Sequence, residues 1–166
     1  MKKPVIFAIL IAYIASIIFV QFFGLKFVEM RGNIYVTSIE VSGFTFTSRD
    51  DITDENLKRI VQLTDSTGKK TNHYASYFIP GEYDLSKESL KNNPNRIKID
   101  YKINPYNASN QTISFVYDKD AAEGSIYFDE ETNEFVFLKP KTVYVILTAR
   151  DGSTVKTEIG ISLIAG

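Results

Sequence analysis

Beyond residue 32 apolar and polar positions alternate along much of the chain, the period of a strand with one buried face. Ile97, Ile99, Tyr101 and Ile103 alternate with Lys98, Asp100 and Lys102, and Pro105 closes the run. Val155, Thr157, Ile159, Ile161 and Leu163 alternate with Lys156, Glu158, Gly160 and Ser162, and Ile113, Phe115 and Tyr117 alternate with Ser114 and Val116. The pattern predicts further strands over residues 33–41, 125–128 and 134–138, the last two joined by an acidic turn at 129–133. Residues 142–149 are almost wholly apolar, as expected of a strand covered on both faces, and Asp151-Gly152 marks a hairpin into the last strand. These are seven strands, six of them within residues 96–164, and their close spacing predicts an all-β fold of two antiparallel sheets packed face to face.

The amino-terminal pattern is different. Residues 4–25 carry no charge, and from Val5 to Val20 every residue but Ser16 is apolar or aromatic. Twenty-two residues make a helix of about 33 Å, enough for a hydrocarbon core of about 30 Å. A cleaved leader would need a small residue where Phe22 stands, so the segment is expected to be retained as one transmembrane signal-anchor helix whose partner is the lipid bilayer. Lys2 and Lys3 place a cytoplasmic tip at residues 1–3. Residues 28–166 then form an extracytoplasmic, cell-surface domain, with an insert at 44–95.

Charge and composition narrow the chemistry. The 166 residues carry 19 basic and 20 acidic side chains, so no basic face is available and nucleic acid is excluded as a partner. With no cysteine and one histidine, His73, disulfides, thiol nucleophiles and multi-histidine metal centres are excluded. No phosphate-binding glycine loop or nucleophile elbow is present. No catalytic residue, metal site or cofactor is expected, and the acidic groups Asp50–Asp51, Asp118–Asp120–Glu123 and Asp129–Glu131 are expected to be solvated turns.

Several of these signals together resemble one family. Thr37-Ser38-Ile39-Glu40-Val41, the turn Asn104-Pro105-Tyr106-Asn107-Ala108-Ser109-Asn110, the following Ile113-Ser114-Phe115 and the hairpin Leu147-Thr148-Ala149-Arg150-Asp151-Gly152 are similar in order to the bacterial immunoglobulin-like domains of group 2. The resemblance implies a seven-stranded immunoglobulin-like sandwich and adhesion or binding at a bacterial cell surface, with no catalytic residues. Here the short link between the family's first two strands is replaced by a long insert, and Phe115 stands where the family has Trp. The two sequons, Asn107-Ala108-Ser109 and Asn110-Gln111-Thr112, are expected to serve as turn residues.

The insert is expected to be partly helical. Thr53 would cap a helix led by Asp54 and Glu55, with Leu57, Ile60 and Val61 buried on one face, and Ser86 would open a further helical turn. Residues 96–164 look locally complete, so the insert is expected to dock on the sandwich, and whether folding can dispense with it turns on whether Leu57, Ile60, Val61 and Phe78 are buried against the sheet. Its aromatic residues Tyr74, Tyr77, Phe78 and Tyr83 are the candidate binding surface for a protein or glycan ligand, with Tyr74 and Tyr83 exposed. His73 is expected at the surface, solvated or hydrogen-bonded. The function this implies is a membrane-anchored, non-enzymatic binding or scaffolding module. The alternative is a structural subunit of a membrane-bound envelope, secretion or pilus-like complex, in which Ala8, Ala12 and Ala15 would give one helix face to lateral packing.

Overall fold

The computed structural model describes residues 32–166 together with Tyr13. The expected cytoplasmic tip and the 4–25 anchor lie outside the described residues, apart from Tyr13. Among the described residues no helix is long and apolar enough to cross a membrane. Ile34–Gly166 forms one compact unit.

That unit is all-β, with two sheets facing each other. Nine strands are present among the described residues, where seven were expected: β1 (Ser38–Phe46), β2 (Val61–Thr64), β3 (Lys70–Phe78), β4 (Arg96–Asn104), β5 (Ile113–Tyr117), β6 (Ile126–Asp129), β7 (Glu134–Phe137), β8 (Lys141–Ala149) and β9 (Lys156–Ala165). Their orders are β1-β4-β7-β6 in one sheet and β2-β3-β9-β8-β5 in the other. All neighbours are antiparallel except β3 and β9, which run parallel from His73 opposite Gly160 to Phe78 opposite Ala165. Between the sheets Ile97, Ile99, Phe135 and Phe137 meet Val145, Leu147, Ile159, Ile161 and Leu163, all buried. Phe128 and Phe135, 4.6 Å apart, and Phe115, 5.7 Å from Phe128, close one end of that core.

The two additional strands lie in the insert, which is therefore part of the second sheet and not a layer docked upon it. Their alternation is disguised. β3 turns Tyr74, Ser76 and Phe78 inward, and a buried serine hides the period. Ser76 is tolerated there because its hydroxyl donates to the Arg59 carbonyl at 2.8 Å. β1 begins at Ser38, not residue 33, and runs past Val41 because the register shifts between Val41 and Gly43. The inward set changes parity there, from Ile39 and Val41 to Phe44 and Phe46, and Gly43 (φ +141°) supplies the conformation that the bulge requires.

The helices are single turns. Asp54, not Thr53, caps α1 (Glu55–Lys58), its carboxylate accepting from the Asn56 amide. Val61 falls in β2 and is exposed, so the expected Leu57–Ile60–Val61 face does not form; Leu57 and Ile60 are half-buried. α2 (Lys87–Asn92) is capped by Ser86, as the sequence indicates, and α3 (Lys119–Ala122) by Asp118 in what the sequence suggests is plain turn.

A buried cation ties the end of β3 to the segment that leaves β1 and the turn that enters β4. Arg49 is 2% exposed, and its guanidinium donates from Nε to the Pro94 carbonyl at 2.8 Å and from Nη2 to the Tyr77 carbonyl at 2.8 Å and Asn95 Oδ1 at 2.9 Å. Nη1 donates to the Leu57 carbonyl, and Cζ lies 3.3 Å from the centroid of the Phe46 ring. Burial pushes its pKa down to about 10, so the group is charged at neutral pH. Four neutral oxygens and a ring face take the place of a counterion. Asn95 extends the connection by accepting from the Ile79 amide at 2.8 Å and donating to the Ile79 carbonyl at 3.0 Å.

Two expected outcomes follow from these contacts. Arg49→Ala orphans several buried carbonyls and opens a cavity, at a cost of about 3–5 kcal/mol, and thermal unfolding should fall by roughly 10 °C or more. Arg49→Lys keeps the charge but not the fork and should fall between the two. A second outcome concerns Asp151, which accepts from the Ser153 hydroxyl at 2.6 Å and from the Val36 amide. The Ser153 hydroxyl first, and then the Val36 amide, hold its carboxyl below the ordinary value. A depressed folded pKa means the tie is complete above the unfolded value, about 3.9, and is lost as pH falls through the folded one. In an NMR titration the Val36 amide resonance should therefore move with a midpoint below about 3.9, and in Asp151→Asn it should not titrate.

Candidate functional site

The insert does not carry a flat aromatic platform. Tyr74 and Phe78 point into the core and are buried, correcting the expected exposure of Tyr74. The Tyr74 hydroxyl accepts from Gln62 Nε2 at 3.1 Å, and burial raises its pKa. Tyr83, also expected to be exposed, is half-buried, its ring edge-on to Phe78 at 5.9 Å and its hydroxyl donating to the Ile79 carbonyl at 3.1 Å. Tyr77 alone of the four is exposed, at 41%, on the outward face of the five-stranded sheet.

That outward face is where the unassigned surface gathers. The registers bring fifteen side-chain positions to it: Val61 of β2; His73, Ala75 and Tyr77 of β3; alternate residues of β9 from Lys156 to Ile164; alternate residues of β8 from Thr142 to Thr148; and Ser114 and Val116 of β5. Only Lys156 and Glu158 are charged, and both lie towards one end. Val61, Tyr77, Val116, Tyr144, Ile146 and Ile164 are all exposed, with Tyr144 at 55% and Val116 at 54%. β8 is therefore not covered on both sides; Val143, Val145, Leu147 and Ala149 are buried, while Tyr144 and Ile146 face outward. The other sheet's outward face sets exposed Glu40 opposite exposed Lys102 and carries exposed Lys98 beside them, while Arg96, Glu134 and Val136 on the same face are buried.

The centre of the uncharged face is built around a glycine. Gly160 lies between His73 on β3 and Tyr144 on β8 in one cross-strand row. The two rings lean over it edge to face, 5.5 Å apart, and a Cβ on Gly160 would stand 2.9 Å from His73 Cγ and 3.0 Å from Tyr144 Cε1. One pleat along, His73 Nε2 shares a hydrogen bond with Ser162 Oγ at 2.8 Å, and Ser162 Oγ shares another with Thr142 Oγ1 at 2.7 Å. His73 Nε2, Ser162 Oγ and Thr142 Oγ1 are thus bonded to one another at the centre, and the two rings pack against each other across Gly160. A surface of this kind, apolar at its corners and fixed in the middle, can be desolvated by a partner at small polar cost.

Of the acidic turn residues, Asp129 and Asp118 have local partners. Arg96, itself buried, donates to Glu134 Oε2 at 2.8 Å from Nε and to Asp129 Oδ2 at 3.0 Å from Nη2, tying β4 to the β6–β7 turn. Asp118 accepts from the Ala121 amide at 3.0 Å. Among the described residues no group of three or more His, Cys, Asp or Glu is placed to hold a metal ion. Asn110 is a turn residue, accepting from the Thr112 amide at 2.9 Å and donating to the Arg150 carbonyl at 2.9 Å.

Comparison with known protein families finds no match for this chain, nor does comparison with characterised proteins.

The packing over Gly160 can be tested directly. Gly160→Ala should push the two rings apart and cost about 1–3 kcal/mol in unfolding experiments. The same substitution in a Tyr144→Ala background should cost less, because one of the two close contacts is already gone.

Proposed function

We propose that this protein is a membrane-anchored, extracytoplasmic, immunoglobulin-like module that works by binding or scaffolding and not by catalysis. The observation that carries the reading is the contrast between the two outward faces, one charged and the other holding two charges in fifteen positions. A run of exposed apolar side chains across one sheet face marks a contact surface. Strand order supports the immunoglobulin-like part. β1-β4-β7-β6 follows the A-B-E-D order of that fold, and β5-β8-β9 follows C-F-G, with β3 and β2 added beyond G. The placement rests on the uncharged 4–25 segment behind Lys2 and Lys3.

Fractionation tests the placement. The full-length protein should stay with membranes in alkaline carbonate, and a cysteine replacing exposed Lys98 should react with an impermeant maleimide on intact cells. Release by carbonate, or labelling only after lysis, would contradict it.

A further inference from the structure

Resting on the reading of the uncharged face as a contact surface, we propose that its occupant is a second copy of this chain, in a two-fold dimer that stacks the two five-stranded sheets face to face. Charge permits it. Lys156 and Glu158 are the only ionic groups among the outward positions and lie towards one end, so the centre of the contact traps no ion. The opposite sheet offered in the same way would bury Glu40, Lys98, Asp100 and Lys102.

Size permits it too. Five strands about 4.8 Å apart, and nine positions along β9 at about 3.3 Å each, span about 24 by 30 Å. With the short edge strands allowed for, roughly 600 Å² per copy and about 1,200 Å² in total is covered, within the range of specific interfaces.

The pattern on the face sets the symmetry. Val61, Tyr77 and Ile164 occupy one corner and Tyr144, Ile146 and Val116 the opposite side, so the exposed apolar groups form a diagonal band across Ala75, Gly160 and Ser162. A diagonal band covers its own copy when the two-fold axis lies along it in the plane of contact. The strands of the two sheets then cross steeply, one of the two ways in which sheets stack. The chain joins the sandwich where the Ile34 amide donates to Ser109 Oγ at 2.9 Å and Val36 to Asp151, at the end of the sheet that holds Thr148 and Lys156. Rotation about the band keeps both joining points at one height along the axis, so an axis normal to the bilayer lets both chains reach it.

The chain has no cysteine, so single-cysteine variants of the full-length protein report one position each. Tyr77 and Val116 lie on the axis near the two ends of the band. In membranes, Tyr77→Cys and Val116→Cys should each give a dimer with a short bis-maleimide, and Lys98→Cys on the opposite sheet should give none. Adding Tyr144→Glu should reduce the Val116→Cys dimer at least tenfold while circular dichroism shows the strand content retained. A Val116→Cys thiol shielded from alkylation yet not cross-linked to its own copy would overturn the dimer and leave the contact surface to another molecule. A thiol alkylated as readily as that of Lys98→Cys would overturn both readings, and a dimer indifferent to Tyr144→Glu would overturn this interface.

Discussion

Arg49 brings a full charge into the interior and finds only neutral oxygens there. Leu57, Tyr77, Pro94 and Asn95 contribute them from separate stretches of the chain, and the Phe46 ring closes one face. A buried guanidinium so placed fixes its surroundings more than it adds to net stability, since its desolvation opposes most of what the hydrogen bonds return. What it fixes is the end of β3. With Tyr77 and Ile79 held to the 94–95 turn, β3 is set alongside β9, and the second sheet gains its fourth and fifth strands. The buried Asn93 continues the same network by donating to the Phe137 carbonyl at 3.0 Å, so both sheets are referred to one polar cluster.

This arrangement also makes the uncharged face possible. Without β3 and β2, β9 would be an edge strand, and His73, Ala75, Tyr77 and Val61 would not extend the surface begun by Tyr144, Ile146 and Val116. The insert therefore widens a sheet and does not form a separate platform. Gly160 is the position at which that widening shows, because it lets side chains from the strands on either side close over the middle of β9.

The parts of this architecture that were legible in the sequence are those governed by a strict period of two. β4, β5 and β9 alternate without interruption, and their inward and outward residues are where the pattern puts them. What escaped did so for local reasons. The Gly43 bulge reverses the parity of β1 partway along, so its second half looked like the start of a loop. β3 buries a tyrosine and a serine, which resemble an outward set until Gln62 and the Arg59 carbonyl are seen to satisfy them. β8 looked covered on both faces because Tyr144 and Ile146 are apolar; the same two residues mark the exposed surface. Arg49 lies in a polar stretch where nothing nearby signals burial, since its partners are main-chain oxygens and an amide that only the fold assembles.

The parallel pairing of β3 with β9 has a consequence for how the chain comes to be folded in the cell. β9 follows the eight other strands in the chain yet occupies the middle of its sheet, between β3 and β8. During synthesis the β2–β3 pair must wait, one edge open, while residues 79–159 emerge before Gly160, the partner of His73, exists. Such late, distant pairing is intrinsically slow and leaves unpaired strand edges exposed to aggregation. The polar turns and the Arg49 cluster, made of segments that are synthesised earlier, are available to hold the insert in order during that interval. Completion of the sheet is then a report that the whole domain has been made.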